Sequence, residues 1–490
     1  MGEEWCIQKL SALQIEEGRL ATLSEIRHKL RDERPLEEAV TTKILTSPEI
    51  FNCLSKTGTS EQSQLACDIL SICLSSLNMD RSNSSELLER TLKHGSSKVR
   101  ALALDEIFRY LSKNPAVDSF DRSINLQVIS CLESDETNVG ITAVNILSLT
   151  LRSQYDDPAI KGNLLKLLES RDIVKCRVYE IAVNLAKSAP SVLVKVQDVL
   201  DKLLKEMNNS DVLIQLNVLE LLVSLAEQNH GLVYLENHKV FEEVNKRVMQ
   251  IEKKPMDNLL LPGFIKFFGK IAHGQPQRII EGYPEMVQCL FNCLTGNDLE
   301  ILPIAIDTLA NLASTPQGKI ILDRNHSEML KEIFEALHDY IQNVPTDLKK
   351  RAFNALEVIF KTEGPISNEV SNITAKWCQH ITGSTNLQYL QEFSKNSFPD
   401  IKIAALSFVK AICEYPWGVR ALKKTAGFLE YLLDRQVEFD KEARFVKYEI
   451  ISTIADSPIF DAHTLLQIRK FLEEGVYYVE GVVEVAVEES

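Results

Sequence analysis

A thirteen-residue pattern, written ten times along the chain, limits what this polypeptide can fold into more than any other feature. It is clearest in residues 174–186 (VKCRVYEIAVNLA) and 214–226 (IQLNVLELLVSLA). With the pattern numbered 1 to 13, positions 5, 9 and 12 hold Val178, Ala182 and Leu185, then Val218, Leu222 and Leu225. At about 100° per residue these three share one face, the i, i+4, i+7 stripe of a helix that buries one side. Position 7 falls opposite and carries Glu180 and Glu220. One side packs and the other presents a carboxylate to solvent.

The copies begin at Gln62, Val99, Val139, Val174, Ile214, Leu260, Ile301, Leu348, Ile401 and Ala443, with successive starts 35 to 53 residues apart and mostly near 40. That period lies close to the roughly 40–47 residues of HEAT and armadillo repeats. Position 9 is apolar in every copy, and position 5 is Ala in six, small enough to let helices approach closely. The exception is Lys447 at position 5 of the last copy, where the absence of a following repeat would make a polar residue tolerable. The pattern predicts an all-α, armadillo/HEAT-like right-handed α-solenoid of about ten helical repeats. Residues 1–58 read as an N-terminal helical cap, 59–474 as the solenoid, and 475–490 as an acidic Val/Glu-rich tail, strand-like or frayed.

Turn chemistry supports this register. Ser97, Asp135, Asp172, Asp211, Asp298, Asp347 and Asp400 precede copies, where a side-chain oxygen is expected to cap the helix. Pro262 and Pro303 both stand at position 3, inside the first turn, where a missing N–H costs little. Gly231, Gly318 and Gly418 each stand five residues past a copy, before an apolar pair that starts the next helix, and read as structural.

A net charge of −15 disfavours nucleic acid and anionic membrane as partners, because both require basic surfaces. No apolar run reaches the roughly 18 residues that span a bilayer. The start, MGEEWCIQKL, lacks the basic and then apolar regions of a secretory signal, which points to a cytoplasmic protein, with the nucleus also open. Cys67, Cys73, Cys131, Cys176 and Cys413 lie in apolar helical runs, as free thiols acting as small hydrophobes.

Catalytic chemistry has little foothold. The chain contains no Gly-rich phosphate loop, no G-x-S-x-G and no H-E-x-x-H. Cys289 and Cys293 are spaced like metal ligands on one helix, but nothing in the sequence completes a zinc site, and the spacing fits two core positions equally. No enzyme activity and no cofactor is expected.

The candidate chemistry is recognition. Stacked repeats form an extended concave groove, on the order of 100 Å long for ten repeats at about 10 Å each. If the pattern marks the inner helix, positions 7 and 11 point into it. Position 7 reads Asp68, Asp105, Asn145, Glu180, Glu220, Lys266, Asp307, Asn354, Ser407 and Glu449, and position 11 includes Asn184, Ser224, Lys270 and Asn311. The candidate contact set is Asp105, Asn145, Glu180, Asn184, Glu220, Ser224, Lys266, Lys270, Asp307, Asn311 and Asn354. Its two readings are an acidic ladder for a basic partner and the ordinary solvated face of an acidic chain. Armadillo import adaptors carry Trp at position 7, and here Trp5, Trp377 and Trp417 all lie elsewhere, so that function is disfavoured. Phe264 and Phe268 read as core, whereas Lys266, Phe267 and Gly269 are candidates for a shaped patch.

Four stretches carry a family resemblance: DIVKCRVYEIAV (172–183), LLPGFIKFFGKIA (260–272), GFLEYLLDRQVEFDKEARFVKYEI (427–450) and EEGVYYV (473–479). In them the chain resembles the family of 26S proteasome non-ATPase regulatory subunit 5, armadillo/HEAT assembly chaperones. The resemblance spans most of the chain and is weakest in its first hundred residues and last ten. It implies a non-catalytic chaperone of the regulatory-particle base. Such a chaperone holds an ATPase subunit by its C-terminal helical domain, within a larger base assembly module, and leaves before the particle is complete. By itself the chain is expected to be a monomer. The alternative is a general HEAT/armadillo scaffold or adaptor with another partner.

Overall fold

The computed structural model describes residues 2–33, 35–54, 58–77, 82–116, 120–250, 259–296, 298–362 and 364–478. Every regular element in them is helical and no strand occurs among the described residues, as the thirteen-residue pattern requires. No described helix is long and apolar enough to cross a membrane. The tail from residue 479, expected to be strand-like or frayed, lies outside the described residues.

The chain divides into two units, Met1–His238 and Lys239–Ser490. In the first, the pattern falls on helices Ser60–Ser75, Ser97–Lys113, Thr137–Thr150, Asp172–Ser188 and Val212–Ala226. Each packs on the next, and Arg19–Asp32, with Leu23, Ile26 and Leu30 buried, packs on Ser60–Ser75 in the same way. In the second unit the pattern falls on Leu261–Gly274, Leu302–Ala313, Thr346–Phe360, Pro399–Cys413 and Lys441–Ile454, again packed in succession. Positions 5 and 9 are buried in all ten copies. Companion helices pack against these motif helices, the longest of them Pro316–Asn343 in the second unit, so each unit has two layers with its core between them.

Three glycines fix where a companion helix crosses its motif helix. A Cβ on Gly231, Gly318 or Gly418 would overlap the carbonyl oxygen of Leu225, Leu312 or Ile412, each at position 12 of the preceding copy. Gly269 meets the Thr308 side chain of the next motif helix in the same manner. Phe267 is fully buried beside Phe241 and Phe268, with ring centroids 5.7 and 5.6 Å away. Phe267 and Gly269 therefore belong to the core, and of the expected patch only Lys266 is exposed. Apolar contact area, not a ligand, accounts for the aromatic density there.

Capping follows the sequence less closely. Asp211 caps its helix, accepting from Leu213 N at 2.7 Å, and Asp298 accepts from Glu300 N at 2.9 Å in the turn before Leu302. Ser97, Asp172, Asp347 and Asp400 instead sit inside the first helical turn, where the three acids complement the helix dipole without capping. Asp135 pairs with Arg171 at 2.5 Å.

Four helix C-termini are closed by cations from outside the helix. Arg177, buried, donates through Nη1 to the carbonyls of Leu132 (2.6 Å) and Ser134 (2.8 Å). Lys319, fully buried, donates to Ser314 O at 3.0 Å, and Arg435 donates to Phe471 O and Gly475 O, both at 2.7 Å. Lys447 does the same with Asp434 O at 2.8 Å and lies over the Tyr431 ring. It is 3% exposed, so it is accommodated by burial with a partner and not, as its terminal position implied, by solvent. Each cation meets the negative end of a helix where unpaired carbonyls collect.

Candidate partner-binding face

Because positions 5 and 9 are buried in every copy, position 7 turns away from the core. None of the ten position-7 residues is buried. The candidate set falls into two groups. Asp105, Asn145, Glu180, Asn184, Glu220 and Ser224 lie on successive motif helices of the first unit, and Lys266, Lys270, Asp307, Asn311 and Asn354 on those of the second. Asp105, Glu180, Glu220, Lys266, Lys270 and Asn354 are exposed, and the rest are half-buried.

The position-7 acids differ in how their charge is met. Asp68 pairs with Arg27 of the preceding helix at 3.0 Å, and Glu449 with Lys410 of the preceding helix at 3.0 Å. Asp307 receives two bonds from Arg351 of the following helix, Nη2 at 2.5 Å and Nε at 3.0 Å. Arg351 stands at position 4 of its copy, one repeat further along. Asp105 and Glu180 make no ion pair with any described residue. Both are exposed, yet surrounding protein raises each carboxyl pKa, from 3.8 and 4.5 respectively. A carboxylate so placed has lost part of its hydration and gained no cation in exchange, which makes it receptive to one from outside.

Two position-11 residues tie repeats together. Asn184 Nδ2 donates to Ser148 Oγ at 3.3 Å, and Ser224 Oγ accepts from Lys187 Nζ at 2.9 Å. Lys187 also pairs with Glu227 at 2.6 Å. Cys289 and Cys293, one helical turn apart, act on one another, holding the Cys289 thiol low and pushing the Cys293 thiol up. No cluster of three or more His, Cys, Asp or Glu able to hold a metal occurs among the described residues. Trp377 and Trp417 donate to Asp323 (2.9 Å) and Thr374 (3.2 Å) within the second unit, away from position 7.

The sequence pattern missed the three-residue aliphatic row beside these acids. Ile141, Ile173 and Leu213 are all more than half exposed, on three successive motif helices. The row was legible as large apolar residues standing outside the buried stripe.

Residues 2–490 match the family described as Proteasome non-ATPase 26S subunit. A Drosophila melanogaster protein named 26S proteasome non-ATPase regulatory subunit 5 is 36% identical over 499 aligned positions, covering 100% of this chain and 99% of its own. The Bos taurus and Homo sapiens proteins of that name are each 29% identical, covering 82% of both chains. Among solved structures, the karyopherin Kap121p bound to the SUMO protease Ulp1p aligns with a TM-score of 0.50. It is 12% identical and covers 96% of this chain and 51% of that one. Kap121p bound to Pho4p gives the same score at 12% identity, covering 96% and 52%. This likeness concerns the fold, a HEAT-like α-solenoid.

Proposed function

The chain belongs to the Proteasome non-ATPase 26S subunit family, and from that premise we propose that it is a non-catalytic assembly chaperone of the proteasome regulatory-particle base. It binds the C-terminal helical domain of one base ATPase through the position-7 face of its motif helices and leaves before the particle is mature. The coarser part, association with the proteasome, rests on the family. The finer part is carried by Asp105 and Glu180, two exposed carboxylates with raised pKa and no ion pair among the described residues. A basic partner surface would restore what their surroundings withhold.

The test is binding of the purified chain to the isolated C-terminal domain of each proteasomal ATPase, with Asp105→Lys and Glu180→Lys alongside. Tight binding to one domain, weakened at least tenfold by the reversals, is the expected result. Recovery of the chain mainly with mature 26S particles, instead of with free base ATPase modules, would overturn the chaperone reading. Failure to bind any ATPase domain would leave a scaffold with another partner.

A further inference from the structure

Ile141, Ile173 and Leu213 are 52%, 51% and 74% exposed, large aliphatic side chains held in water on three consecutive motif helices of the first unit. Ile173 and Leu213 stand immediately before position 1 of their copies, seven residues ahead of Glu180 and Glu220. Seven residues are two helical turns, so each aliphatic residue shares a face with its carboxylate, about 10.5 Å along the axis. Ile141, at position 3, lies one turn ahead of Asn145 on the same side. On the preceding helix Ser97–Lys113 the equivalent place is Lys98, which ends the row at three helices. The face thus has two tracks across the helices, one aliphatic and one of carboxylates and an amide, about 10.5 Å apart on the two later helices and about 6 Å apart on the first.

We propose that this double track is the docking surface for a basic amphipathic α-helix of a partner protein, lying across the motif helices. The inference shares with the proposed function the premise that this face docks a partner, and it adds the form of the element that docks. Packed helices are about 8–10 Å apart, so the aliphatic residues recur at that pitch. A helix repeats one edge every seven residues, about 10.5 Å, and so offers an apolar side chain to each site in turn. A strand returns a side chain to the same face at about 6.6 and 13 Å, which at a pitch of about 10 Å misses by roughly 3 Å either way, against about 0.5 Å for the helix. Three sites span roughly 20 Å, or about fifteen helical residues. The second track lies about one helix diameter away, within reach of Lys or Arg on the neighbouring edge of the same helix. Charge complementarity selects those residues, since the track carries the exposed carboxylates of Glu180 and Glu220, and Glu180 has no ion pair among the described residues. An acidic helix of the same shape would be repelled.

The full chain carrying Ile173→Ser and Leu213→Ser together is compared with the unchanged chain for binding the ATPase C-terminal domains. Both residues are exposed, so the melting temperature should hold, while affinity falls about tenfold. Unchanged affinity of the double variant for a domain that does bind overturns the helix-docking surface and leaves the chaperone function standing. If no ATPase domain binds, that function falls and a stapled peptide of about fifteen residues decides the surface, with leucine at every seventh position and lysine on the neighbouring edge. Saturable binding of the peptide, lost in the double variant, supports the proposal. Absent binding, or binding indifferent to the two substitutions, overturns it. Equal binding of a version with glutamate for lysine overturns the basic character assigned to the partner.

Discussion

The guanidinium of Arg177 occupies the place that a side chain on Gly140 would take, so one repeat's missing Cβ makes room for the next repeat's buried cation. Arg177 crosses there to reach the carbonyls of Leu132 and Ser134. Gly140→Ala should therefore destabilise the first unit by roughly 1–3 kcal/mol, through overlap and loss of the two charged hydrogen bonds. Gly162→Ala, inside a helix with open space around its Cβ, should be neutral or stabilising by up to about 1 kcal/mol. Urea denaturation of the pair measures the contrast, and equal effects would show that Arg177 yields freely.

Gly231, Gly318 and Gly418 make a second contrast. Each faces a backbone carbonyl, which cannot rotate aside as a side chain can. Alanine at any of them should lower stability by about 2 kcal/mol or more, whereas Gly274→Ala, facing open space, should not. Thermal melts of the four variants decide whether the crossing depends on glycine.

Lys319 predicts a pH dependence. Burial pushes its pKa down from 10.5 to about 8, against a smaller upward pull from Glu414. Between those values the unfolded lysine keeps its proton while the folded one has released it. Unfolding then takes up a proton, and this lysine's contribution to stability rises with pH from about 8 to 10.5. The full shift corresponds to at most about 3 kcal/mol. The stability difference between the chain and its Lys319→Met variant should move toward the unchanged chain as pH goes from 8 to 10. Taking that difference cancels the opposing titration of buried thiols and tyrosines. A flat difference would mean that Lys319 keeps its proton in the fold.

Charge reversal should separate two kinds of position-7 acid. Asp307→Lys sets a second cation against Arg351 and should cost up to about 1 kcal/mol of stability, the scale of an exposed pair. Glu180→Lys, with no partner to lose among the described residues, should leave the melt unchanged and weaken partner binding. That binding should also weaken as pH falls into the raised titration range of Asp105 and Glu180, because protonation removes the charge a basic partner meets. Equal melting losses in the two variants would contradict the distinction.

The motif helices and their buried positions were legible because burial at positions 5 and 9 repeats with the helix period and needs no long-range knowledge. The cap assignments for Ser97, Asp172, Asp347 and Asp400 missed because they stand one or two residues past the cap, and periodicity does not resolve so small a shift. Lys319, Arg177 and Lys447 were opaque for another reason. Their partners are main-chain carbonyls, which carry no sequence signature. For Asp307 the sequence showed an acid but not Arg351, 44 residues away, whose pairing depends on how the helices stack.

Position 7 takes no part in the core, and each repeat has one. A substitution there alters the charge shown to a partner and leaves the packing of positions 5 and 9 untouched. Heredity can therefore revise recognition one letter per repeat without reopening the question of whether the chain folds, and a lineage can exchange partners while keeping its architecture.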